Sequence, residues 1–166
     1  GTDPHSWTVP TDDEFAADGS KDGTYEVRVW ANDEAGNTGD HGSYTFVLDT
    51  VAPTSPGVTG STPTNAVTPT FAWSGASDVG TGVSEYNIGI YDSDSVRRGP
   101  LYTHTHLGAP DATQSWTLPS ANEFATDGSD DGSWEIRVWS VDGASNVSVT
   151  FGYFPFFLDT QDPIAP

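Results

Sequence analysis

Carboxylates are the side chains with the most chemistry to offer in this sequence. Its 166 residues hold 24 Asp and Glu against 5 Lys and Arg, a formal charge of -19. Asp22, Asp49, Asp78 and Asp142 stand in the segments SKDGTY, VLDTVA, GASDVGTG and VDGASN, each at a loop or a strand end. Such oxygens suit Ca²⁺, which takes about 6 to 8 of them and tolerates irregular geometry. The spacing is not that of an EF-hand loop. Asp in DG pairs and at loop starts also bonds its own backbone, so turn chemistry is the competing reading. Adaptation to high salt is a further account of the charge. Recognition of phosphate needs Lys and Arg, so nucleic acid and anionic membranes are disfavoured as partners. No apolar run approaches the roughly 18 residues of a membrane span, so no membrane insertion is expected.

Other chemistry is sparse. There is no Cys, and no serine-nucleophile motif or phosphate loop. His104 and His106 share a strand face, which permits metal binding, but no third ligand stands near them; the alternative is an exposed polar face. No two carboxylates are paired by spacing as acid and base, so enzyme activity is not expected. Asn146-Val-Ser is a glycosylation sequon whose use depends on the host. Trp30, Trp139, Tyr153 and Phe157 alternate away from the core positions of their strands. Such outward rings can stack on a glycan or a neighbouring chain. The competing reading is cover over the stems of Arg28 and Arg137 by cation–π packing.

The elements that hold these residues come in copies. Residues 6–37 and 115–146 match at 19 of 32 positions with an offset of 109, and FVLDT matches FFLDT one residue later. A fixed period of domain size signals a tandem array. The expected division is 1–50 as the second half of one module, 51–160 as a complete module, and 161–166 as a linker to a third. With no Met in the chain, it reads as a window on a longer polypeptide. In the complete module, Val58, TFAW (70–73), 86–91, 101–107, 115–118, WEIRVWS (134–140) and 147–158 read as about seven short strands, with one helical turn near 121–124. Trp73, Tyr86, Trp116, Phe124, Trp134, Phe154 and Phe156 are the expected core, and Pro155 blocks extension of an edge strand.

WSGASDVGTGVSEY (73–86), DGSWEIRVWSVDGASN (131–146) and LDTQDP together resemble bacterial Ig-like and fibronectin type III-like repeats of large extracellular adhesins, biofilm proteins and filament proteins. The resemblance covers the whole module. It implies an all-β antiparallel sandwich with strands A, B and E on one sheet and C, C′, F and G on the other. Trp134 and Tyr25 fall near a tyrosine-corner position. Residues 1–49 would carry strands E, F and G. The implied role is a structural repeat at the cell surface, in an adhesin stalk or filament, with neighbouring copies of the module as partners. A carbohydrate-binding module of a secreted polysaccharide-active protein is the alternative. In a head-to-tail array of such sandwiches, Asp49 at the end of one module would meet Asp78 and Asp142 of the next, with Asp18 and Asp22 near by, and calcium bound there would stiffen the linker.

Overall fold

The computed structural model describes residues 6–10, 14–109 and 111–164. The chain divides into two compact units, Gly1–Val51 and Ala52–Pro166. Among the described residues there is no α-helix, only one turn of 3₁₀-helix at Ser120–Asn122.

The first unit holds strands β1 (Gly23–Val29) and β2 (Gly42–Leu48), paired antiparallel. Among the described residues no strand E forms: residues 6–10 carry no strand. In the second unit the matching segment gains its ladder from the strand Thr70–Ser74, and no such strand accompanies it among the described residues of the first. A small aromatic cluster survives: Phe15 lies 4.6 Å from Tyr25 and 6.3 Å from Phe46.

The second unit is a sandwich. Its strands are β3 (Gly57–Thr59), β4 (Thr70–Ser74), β5 (Val83–Asp92), β6 (Arg97–Thr105), β7 (Gln114–Thr117), β8 (Gly132–Asp142) and β9 (Gly152–Leu158). They form one sheet in the order β3-β4-β7 and another in the order β6-β5-β8-β9, all pairs antiparallel. This is the A-B-E and C′-C-F-G distribution that the resemblance implies.

Alternation sets the core. Period-2 side chains put Ile136 and Val138 inward on β8, where both are fully buried, and leave Glu135 and Arg137 outward. Phe71 and Trp73 from the first sheet meet Phe156 and Tyr86 from the second at 5.1 and 5.3 Å between ring centroids. Trp116, Trp134 and Phe154, expected inside, pack partly buried at the core's margin. Gly152 is required by contact: a Cβ there would sit 1.9 Å from the Pro56 carbonyl oxygen, so β9 begins hard against the incoming chain.

Two locks hold the loops. Trp134 donates its indole N–H to the Asp130 carbonyl, and Tyr25 its hydroxyl to the Lys21 carbonyl, the same i−4 bond in both units. Arg98 of β6 lies 4.5 Å over the Phe124 ring, pairs with Asp130 at 3.1 Å and donates to the Glu123 carbonyl. Arg98→Ala is therefore expected to lower the stability of the second unit by about 1 to 2 kcal/mol, discounted for partial exposure. Urea unfolding measures it, and an unchanged midpoint would mean that the contact contributes nothing.

Candidate metal centre

The loops at one pole of the second unit are tied together by backbone. The β4–β5 loop meets the β8–β9 loop through the Gly143 amide donating to the Gly82 carbonyl (3.0 Å) and the Ala144 amide donating to Thr81 Oγ1 (3.1 Å). Ser84 Oγ donates to the Asp142 carbonyl at 2.7 Å. The incoming chain runs past the same pole, since the Thr54 amide donates to the Ser77 carbonyl at 2.8 Å.

Asp142 is 2 % exposed. Its Oδ1 accepts from the Ala144 and Asn146 amides, and its Oδ2 from the Asn146 side-chain amide at 2.8 Å. These bonds hold Ser145 at φ 73, a left-handed conformation that is costly for any residue but glycine. The first unit repeats the turn: Asp33 accepts from the Asn37 amide and side chain at 2.8 and 2.7 Å, with glycine at the left-handed position. Those bonds from Asn37 hold the Asp33 carboxyl below its usual range. The Asn146 nitrogen that a glycan would use is thus occupied by Asp142.

Asp78 offers more. Its Oδ2 accepts from the Gly80 and Gly82 amides at 2.9 and 2.8 Å. Its Oδ1 is shielded from solvent and has no hydrogen-bond partner. An oxygen of Asp78 and one of Asp142 lie within 4.8 Å of each other. A shielded carboxylate oxygen without a donor, beside a second carboxylate, is poorly stabilised unless a cation meets it. Oxygen donors from two carboxylates fit a hard ion such as calcium.

Each remaining carboxylate candidate has hydrogen-bond partners of its own. Asp49 follows β2 in the first unit and accepts from the Val51 amide. Asp22 accepts the Thr50 amide and hydroxyl, both at 2.9 Å. Asp131 does the same for Thr160, at 3.0 and 2.8 Å. This aspartate fastens the outgoing chain in both units. Asp18 and Asp127 each accept from the amide two residues on, which is turn chemistry. His104 and His106 do not lie on an exposed face. The register that sets Tyr86 opposite His104 turns the even residues of β6 inward, so His104 packs 5.2 Å from Trp73 and His106 Nδ1 lies 3.0 Å from the Tyr86 hydroxyl.

Of the outward aromatics, Trp139 and Tyr153 gather with Phe151 and Tyr91 around Arg137. Phe157 stands further along β9, opposite Ser133. Trp30 packs against His41 in the first unit. Sequence reasoning missed Phe151 and Tyr91; the glycine two residues before Tyr91 was the available signal.

No helix among the described residues is long and apolar enough to cross a membrane. No family model and no curated protein matches the sequence. One solved structure, described as a tetra-tandem repeat in the extending region of a large adhesion protein, is similar over 84 % of this chain at 20 % identity, with a TM-score of 0.45. Another, described as a Ca²⁺-stabilized adhesin that helps an Antarctic bacterium reach out and bind ice, is similar over 83 % at 25 % identity, with a TM-score of 0.38. The chain spans 32 % of the length of each.

Proposed function

We propose that this chain is a stretch of a tandem array in a long extracellular surface protein, such as an adhesin stalk or filament, and that its modules act as spacers. The observation that carries this reading is the repetition of the fastening itself. Both copies keep the aspartate that clamps the outgoing threonine, the Asp–Asn turn and the i−4 aromatic lock. Retaining these joints while the faces between them drift suits a protein whose output is reach.

Calcium belongs to the proposal at the pole of Asp78 and Asp142. It would supply the positive charge that the shielded Asp78 oxygen lacks and link the two loops. Asp49, a few residues before Thr54 in the chain, is the proposed third ligand. Asp22, whose oxygens are taken by Thr50, is left out of the set.

Chains built from one, two and four copies of residues 52–161 test the spacer reading. In small-angle scattering with calcium present, the maximum dimension is expected to grow by a constant increment per copy. A dimension that saturates as copies are added would sink it.

A further inference from the structure

The outer face of the four-stranded sheet carries a surface that the spacer reading does not use. Gly89 in β5 leaves a gap, and Tyr91 lies across it; a Cβ at Gly89 would sit 2.7 Å from the Tyr91 ring. Arg137 stacks 4.2 Å from the Tyr91 ring centroid and 4.8 Å from that of Phe151. Trp139 lies 5.1 Å from Phe151 and 6.3 Å from Tyr91, and Phe151 lies 6.4 Å from Tyr153. Four rings, tilted by 58 to 77° to one another, and one guanidinium form a contiguous cluster, with Tyr153 57 % exposed. The first unit carries less of it, because Ser43 stands where the second unit has Tyr153.

The chemistry around the rings selects the occupant. The charge of Arg137 is already met by Glu135, and its second nitrogen donates to Ser95 Oγ at 2.9 Å. An anionic ligand therefore gains little here, and the net charge of -19 repels polyanions and second copies of this chain alike. Beside the rings runs a groove of about 190 Å³ whose walls include Asp92, Ser95, Glu135 and Arg137. Asp92 Oδ1 there takes the Asp94 and Val96 amides and Glu135 pairs with Arg137, and the remaining lone pairs of these carboxylates can accept from ligand hydroxyls. A ligand with a flat C–H face and a hydroxyl rim matches both parts, as sugar rings do.

We infer that this face binds a neutral hexose polymer, with sugar rings stacked on Tyr153 and Trp139 and hydroxyls turned into the groove beside Arg137. The inference stands independently of the spacer reading. The test applies the full chain to an array of neutral gluco-, manno- and galacto-oligosaccharides, with alginate as the polyanionic control. At least one neutral class is expected to bind and alginate is not. Tyr153→Ala is expected to weaken binding about tenfold or more, while Tyr153→Phe retains it. Tyr153 is half exposed, so the alanine variant should keep its melting temperature, which separates lost binding from lost folding. Absence of binding to every neutral class, or binding indifferent to Tyr153→Ala, would overturn the inference. So would a wild-type dimer that Tyr153→Ala dissolves, since the face would then belong to a second copy.

Discussion

Calcium added to the chelator-treated chain is expected to raise the melting temperature of the second unit by roughly 10 °C, and magnesium by markedly less. A ligand at a hundredfold excess over its dissociation constant stabilises the folded state by about 2.7 kcal/mol, which corresponds to a shift of that size in a domain near this length. Magnesium demands near-octahedral geometry and gives up water reluctantly, so two carboxylates fixed by loop backbone serve it poorly. The variant Asp78→Asn gives a test with two signs. Its side-chain oxygen can still accept from the Gly80 and Gly82 amides, so the loop keeps its turn. Without calcium the variant should be as stable as the wild type or more so, because a carboxylate beside Asp142 has been neutralised. With calcium it should be less stable. Equal responses to the two ions that follow ionic strength would reduce the pole to solvated turns and leave salt adaptation as the account of the charge.

The second large effect compares one position in its two copies. Ile136→Ala should cost the second unit about 2 to 5 kcal/mol, because Ile136 is fully buried between two sheets and its removal leaves a cavity. Val27 holds the same place in β1 but is only half-buried, and no second sheet covers it among the described residues. Val27→Ala should cost under about 1 kcal/mol. Urea unfolding of the full chain reads both. Comparable costs would mean that the first unit has a covering layer of its own.

That pair also shows where the sequence was informative. WEIRVWS carries its alternation on its face, so both sides of β8 were legible, as was the one-turn helix beside Phe124. RRGP at the start of β6 was not, since it resembles a turn; pairing of Arg97 and Arg98 with Tyr91 and Ile90 makes it strand. Leu107 was read into the same strand, but its backbone is taken by the Gln114 side chain, which ends the ladder. At the candidate metal pole, the approach of Asp78 to Asp142 followed from which loops share an end of a sandwich. The shielded, donorless oxygen of Asp78 did not, because it depends on how two loops close over each other. The aromatic cluster depends on Tyr91 lying over Gly89, a side-chain path that periodicity does not encode.

The route of the chain through the second unit has one more consequence. Near its start, Thr64 bridges Leu158 in parallel; its amide donates to the Phe157 carbonyl at 2.9 Å and its carbonyl accepts the Asp159 amide at 3.0 Å. Thr62 Oγ1 takes the Phe157 amide at 3.1 Å. Tension on the two ends of the unit would draw residues 62–64 and β9 in opposite directions along parallel neighbours. Such a pull loads these bonds in shear, all together, whereas antiparallel neighbours pulled from one end would open one rung at a time. Resistance to force is governed by the barrier to unfolding, and a joint whose bonds must break at once raises that barrier without adding to the core.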